Sequence, residues 1–208
     1  MVRVMIVEDQ KIIQRYLESF FRENRDYVLT ASIESAEEAV RLCSSVRANL
    51  ILMDVKTKGS LNGIAAAKII KEKYPSTRIL IVTSLADSRI LSRARSAGAD
   101  SLWYKDAGEE ELMNVVKKTV EGKHVFPDEA PVVEIGEAKS YEFTRKETEV
   151  LRFLVKGYPY AKIAEEMGIE VSTVKYHVQN MLQKTGLNSK LMLMMAVAES
   201  KMIVKELD

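Results

Sequence analysis

Leu50-Ile51-Leu52-Met53-Asp54 is an apolar strand-like run that stops on a carboxylate, and the fold follows from how often this arrangement recurs. Val2–Val7, short and rich in branched residues, gives way to Glu8-Asp9. Ile79–Val82 has the composition of a buried strand and ends on Thr83, and Leu102–Tyr104 ends on Lys105. Tyr27–Ile33 is a further strand. Between these runs the apolar residues take helical spacing. Ile12, Ile13, Tyr16, Leu17, Phe20 and Phe21 share one face; a second helix lies around Ala36–Cys43. A third runs from about Ile64 to Tyr74 and stops before Pro75, which disfavours helical geometry in its predecessor. A fourth reaches about Ala97 and stops at Gly98; Leu112, Val115, Val116 and Val120 mark a fifth, ended by Gly122. Residues 1–122 thus form a (βα)5 series, an α/β unit whose doubly wound, five-stranded parallel sheet carries helices on both faces. Ligands of such sheets sit at the carboxyl ends of the strands, near the point where strand order reverses.

Those ends carry the chemistry. Glu8 and Asp9 follow the first strand, Asp54 ends the third, Thr83 the fourth, and Lys105 follows the fifth. Three carboxylates in one cleft repel one another, and a hard divalent cation such as Mg²⁺ relieves the repulsion. A carboxylate beside Mg²⁺, a hydroxyl and an ammonium is a phosphoryl-acceptor site: the cations neutralise the transferring group, and the hydroxyl binds one of its oxygens.

Residues 123–140 break the periodicity with Pro127, Pro131, several acids and a glycine, and read as a linker. The module at 141–208 is all-α. Thr144-x-x-Glu147 forms a capping box, and helices follow at about 145–156, 160–167, 171–185 and 189–202. On the third of these, Val174, Val178, Met181 and Leu182 make an apolar stripe. Ser172, Thr173, Tyr176, Gln179, Asn180 and Gln183 occupy the opposite face, with Lys175 at its margin. The last helix carries Leu191, Met192, Leu193, Met194, Met195, Val197 and Met202, more apolar groups than one core face needs. The surplus suggests a pairing surface, with a purely intramolecular core as the alternative.

The net charge of +1 argues against a general polyanion binder but hides segregation. From Val171 to Ala198 there is no Asp or Glu, while Lys175, Lys184 and Lys190 are present, the footprint expected if one helix meets nucleic acid. The longest apolar stretch, Leu191–Ala198, has eight residues, far below the ~20 that a spanning helix needs. A single cysteine, Cys43, excludes an internal disulfide and suits a reducing cytoplasm.

Residues 1–122 resemble the receiver domain of two-component response regulators, a flavodoxin-like unit. The resemblance implies that Asp54 accepts a phosphoryl group from a sensor histidine kinase. Glu8, Asp9, Asp54 and the backbone carbonyl of Lys56 would hold Mg²⁺, Thr83 would be the switch hydroxyl, and Lys105 would pair with the phosphate. Ser84, being small, is expected to leave the acceptor open. Two departures stand out. Asp54 is followed by Val55-Lys56-Thr57-Lys58-Gly59 rather than by Met-Pro, and the nearest equivalent of the usual glycine, Gly63, lies one residue too far on. Leu102 stands where many receivers place a switching aromatic, with Trp103 and Tyr104 after it on alternate faces.

From Thr144 to about Val197 the chain resembles the LuxR-type helix-turn-helix of the nitrate-sensing class of regulators. The resemblance rests on Thr144-Arg145, Glu147, Glu149-Val150-Leu151, Gly157, Ile163-Ala164, Ile169, Thr173-Val174-Lys175, His177, Lys184 and Gly186. It implies base reading by Lys175, Tyr176 and Gln179, phosphate contacts by Thr173, Lys184 and Lys190, and a homodimer on double-stranded DNA. The whole is expected to be a cytoplasmic transcription regulator, not an enzyme beyond handling its own phosphate. A phosphatase- or phosphotransferase-type enzyme using Asp54 as a turnover nucleophile is one alternative, and a constitutive DNA-binding protein with a receiver kept only for interaction is the other.

Overall fold

A computed structural model describes residues 1–203. Residues 204–208, the end of the module read at 141–208, and the side chain of Glu109 lie outside that description. The chain divides into two units: Met1–Ser84 with Arg89–Glu129, and Leu85–Ser88 with everything from Ala130 on.

In the first unit, strands β1 (Val2–Val7), β2 (Tyr27–Ile33), β3 (Leu50–Asp54), β4 (Arg78–Thr83) and β5 (Ser101–Tyr104) alternate with helices. These are α1 (Lys11–Arg22), α2 (Ala36–Val46), α3 (Gly63–Lys73), α4 (Arg89–Ser96) and α5 (Glu109–Val120). All four strand pairs are parallel, in the order β2-β1-β3-β4-β5. The order reverses between β1 and β3, so their carboxyl ends flank the crevice where such folds bind ligands. The doubly wound parallel sheet is as expected. Leu50, Ile51, Leu52 and Met53 are all buried, because a sheet covered on both faces leaves no solvent side for polar alternation. One face packs Ile6, Leu52, Val82 and Trp103 with Leu17 and Phe21 of α1 and Leu112 and Val116 of α5. Past α5 the chain returns to the sheet edge, where Leu102 N–H donates to the Val125 carbonyl at 2.8 Å.

The second unit opens with a short antiparallel hairpin, β6 (Glu134–Ile135) and β7 (Ala138–Lys139), followed by a single 3-10 turn at Ser140–Glu142. Helices α6 (Arg145–Val155), α7 (Tyr160–Met167), α8 (Val171–Thr185) and α9 (Lys190–Glu199) follow. The capping box at the start of α6 is present: Glu147 N–H donates to Thr144 Oγ1 at 3.2 Å, and Thr144 N–H to Glu147 Oε2 at 2.8 Å. The core joins Ile135, Val150, Leu151, Leu154, Ile163, Val174, Val178, Met181, Leu193 and Val197. Within this unit the buried carboxylate of Asp87 accepts from Arg152 Nη1 at 3.1 and 2.9 Å.

Two local features differ from the sequence reading. Part of the stretch read as linker, 123–140, is structured: Ile135 and Ala138 are buried, and Glu137 N–H caps α8 by donating to the Thr185 carbonyl at 3.0 Å. The last helix stops at Glu199 instead of about 202, because Lys201 turns the chain through a left-handed φ of 57°. That turn folds Met202 and Ile203 back into the core, so Met202 is not on an outer pairing face.

Candidate functional site

The carboxyl ends of β1, β3 and β5 deliver the pieces of the acidic pocket. Ligand oxygens of Glu8, Asp9 and Asp54 all lie within 4.8 Å of one another. Lys105 Nζ stands 2.7 Å from Asp54 Oδ2 and 2.6 Å from Glu8 Oε2. Glu8 and Asp54 are 1% and 3% exposed, so their charges are held in a poorly solvated place. Burial pushes the Asp54 carboxyl above its ordinary range, against the opposing pull of Lys105. Burial and then the Asp54 charge raise Glu8 likewise. Burial opposes the charge of Lys105, yet the Asp54 carboxylate beside it holds its pKa above the usual value.

Three carboxylates facing one ammonium leave the pocket short of positive charge. Lys105 is the one cation pairing with the buried Glu8 and Asp54 carboxylates among the described residues. An oxygen-rich set of three carboxylates facing one ammonium fits a hard divalent cation such as Mg²⁺.

Thr83 is fully buried at the end of β4, in register with Tyr104, and its carbonyl accepts from Lys105 N–H at 2.9 Å. Lys56 N–H donates to Asp54 Oδ1 at 3.4 Å, which brings the following loop to the acceptor. That loop is closed by Gly63 N–H donating to the Val55 carbonyl at 2.9 Å. A Cβ on Gly63 would lie 1.9 Å from the Asp54 carbonyl oxygen, so only glycine lets α3 start this close. Although Ser84 is small, Asp54 is nearly covered, not open. Trp103 packs with the α1–α5 side of the sheet. Alternation on the strand therefore puts Leu102 and Tyr104 on the other side.

In the second unit, Ser172, Lys175, Tyr176, Gln179 and Gln183 are all exposed, a stripe opposite the buried Val174, Val178, Met181 and Thr185. Tyr176 is 63% exposed. Thr173 is half-buried in the first turn of α8. Glu170 occupies the N-cap without a side-chain bond to the helix. Lys190 is exposed, its ammonium 5.1 Å from the Tyr160 ring centre. Lys184 is placed differently from a simple outward lysine: its ammonium donates to Glu147 Oε2 at 2.8 Å and to the Glu142 carbonyl at 3.0 Å. Burial would raise the Glu147 carboxyl, but Lys184 and the Thr144 amide hold it below its ordinary range.

The chain matches the model of the response regulator receiver domain over residues 4–117 and that of the bacterial regulatory proteins of the luxR family over residues 142–197. Response regulator protein VraR of Staphylococcus aureus is 30% identical over 188 residues, spanning 88% of this chain and 90% of VraR. This chain is a response regulator. It joins a receiver domain to a LuxR-type DNA-binding domain, as in regulators of two-component systems. A LuxR-family two-component response regulator from Aurantimonas sp. covers 60% of this chain at 26% identity and a TM-score of 0.57, over 89% of its own length. RcsB from Salmonella enterica serovar Typhimurium, in a structure bound to a promoter, shares the fold at a TM-score of 0.62. Its identity is 18%, over 95% of this chain and 98% of its own.

Sequence reasoning missed what holds the regulator's unusual loop after Asp54. The carboxylate of Glu37 at the start of α2 binds it, and Glu34 pairs with both Lys11 and Lys58. Gly59 was the only available signal, and one glycine in a polar run is too common to read alone.

Proposed function

We propose that Asp54 is the phosphoryl acceptor through which a sensor histidine kinase controls binding of this regulator to double-stranded DNA. A carboxylate oxygen of Asp54 attacks the phosphorus of the kinase's phosphohistidine, the P–N bond breaks, and the imidazole leaves with the electron pair. Lys105, already 2.7 Å from Asp54 Oδ2, neutralises charge gathering on the transferring group. Thr83, at the next strand end, is the hydroxyl that donates to a phosphate oxygen. Glu8, Asp9, Asp54 and the Lys56 carbonyl are the residues that would hold Mg²⁺, which when bound supplies charge neutralisation for phosphoryl transfer. The acceptor serves as a switch and not as the nucleophile of an enzyme turning over a separate substrate.

On the output side, Lys175, Tyr176 and Gln179 face the major groove and read base edges, while Thr173 and Lys190 contact phosphates. Lys184 contacts phosphate only by sharing its ammonium with Glu147, so its contribution is the smaller. Leu191, Met192 and Met195, between 47% and 63% exposed on α9, make the pairing surface of a homodimer on DNA. A kinase and DNA as partners place the regulator in the cytoplasm; among the described residues no helix is long and apolar enough to cross a membrane.

The observation that carries this reading is the meeting of Glu8, Asp9, Asp54 and Lys105 at the carboxyl ends of β1, β3 and β5. A small-molecule phosphodonor with Mg²⁺ should add one acid-labile phosphate, not added when Mg²⁺ is chelated beforehand and absent from Asp54→Ala. Equal labelling of that variant would overturn the assignment.

A further inference from the structure

The loop 55–62 lacks the proline that stiffens it in many receivers, and it is longer by one residue. Its conformation is nonetheless pinned from the neighbouring α2 corner, on the far side of β1. Glu37 Oε1 accepts from Ser60 N–H at 2.8 Å, Leu61 N–H at 2.9 Å and Ser60 Oγ at 2.9 Å. Its Oε2 accepts from Ser35 Oγ at 2.9 Å. Gly59, at a φ of +95°, comes so close that a Cβ there would lie 2.0 Å from Glu37 Oε2. Glu34 adds a second anchor: it pairs with Lys11 and Lys58, and its carbonyl accepts from Lys58 N–H at 3.0 Å. A third is Ala36 N–H donating to Thr57 Oγ1 at 3.2 Å. The amides of Leu61 and Ser60, then the hydroxyls of Ser35 and Ser60, bring the Glu37 carboxyl down to about 2, so it is ionised at working pH.

The other end of this loop is Lys56, whose amide reaches Asp54 Oδ1 and whose carbonyl is a proposed metal ligand. We infer that Glu37, supported by Glu34, is a positioning residue for the chemistry at Asp54, fixing the loop so that Lys56 keeps its place beside the acceptor. A carboxylate that takes two backbone amides replaces by charge-assisted bonds the stiffness that proline would have supplied. Removing such outer support from a metal site lowers affinity about 10–100-fold. The inference rests on the reading of Asp54 as a Mg²⁺-assisted acceptor.

Its test uses the full chain and Mg²⁺ alone. The melting temperature is followed against Mg²⁺ concentration, since a ligand of the folded state raises it by mass action. Glu37→Ala should move half-saturation up by about 10–100-fold. Glu37→Gln keeps an oxygen that accepts from Ser60 and Leu61, and should fall between Glu37→Ala and wild type. Glu38→Gln, next along the same helix and paired with Arg41, should behave as wild type. The first-order decay of phosphorylated Asp54 should change in the same order. Phosphorylated wild type with Mg²⁺ dependence and decay unchanged in Glu37→Ala would overturn the role of Glu37 alone. Failure of the wild type to take phosphate on Asp54 would overturn the reading beneath it.

Discussion

Lys105 holds two buried carboxylates at once, and each of them borders a third charge it does not relieve. Removing one partner of a buried ion pair costs about 3–5 kcal/mol because the remaining charge stays uncompensated. Lys105→Ala should therefore lower the denaturation midpoint of the first unit, and Mg²⁺ should restore part of the loss. A midpoint unchanged without Mg²⁺ would show that the lysine is not the pocket's counter-charge. Gly63→Ala is the steric counterpart, since its Cβ would overlap the Asp54 carbonyl. It should cost about 1–3 kcal/mol by overpacking, read by the same denaturation. These residues were legible because a parallel sheet puts the residue after each strand at one crevice. Lys184 was not legible in that way. Its partner Glu147 lies on another helix, and the capping-box spacing that revealed Glu147 says nothing of which lysine folds onto it.

At the scale of elements, the hairpin of β6 and β7 is a cap for α8. Gly136 takes a φ of +58°, and a Cβ there would lie 2.2 Å from the Thr185 carbonyl oxygen, beside the bond from Glu137. Gly136→Ala should cost roughly 1–2 kcal/mol from the left-handed conformation alone, lowering the melting temperature of the second unit. Strands of two residues carry no readable periodicity, so this element vanished into the apparent linker. The end of α9 was lost for a similar reason. Met202 continues the apolar pattern, and only the left-handed turn at Lys201 breaks it. The tie between α6 and α8 also makes a pH prediction. Because the Glu147 carboxyl is held below its ordinary value of 4.5, the folded state binds its proton less readily than the unfolded chain does. Its stabilisation is complete above about that value and fades as the pH falls through the lowered pKa. Melting curves of wild type and Lys184→Met should differ most near neutrality and converge as the pH falls through the lowered pKa of Glu147; a constant difference would exclude the ion pair as its source.

For the molecule as a whole, both units and their classes were readable from periodicity and motif, while the start of the second core was not. Ile135 and Ala138 belong to that core, so a fragment beginning at 130 should melt higher than one beginning at 141. Burying Ile135 is worth about 1.5–3 kcal/mol, and equal stability would make the hairpin incidental. On the proposed reading, phosphorylation at Asp54 would shift an existing equilibrium toward the form that binds DNA. Coupling of this kind amounts to about 5–150-fold in affinity. The most direct test is fluorescence anisotropy of a duplex selected from random sequence by the phosphorylated protein, titrated with wild type and Asp54→Ala, each with and without phosphodonor and Mg²⁺. The account predicts that phosphodonor tightens wild-type binding within that range and leaves Asp54→Ala unmoved. Equal tightening of both proteins, or none in a wild type shown to carry phosphate on Asp54, would contradict it.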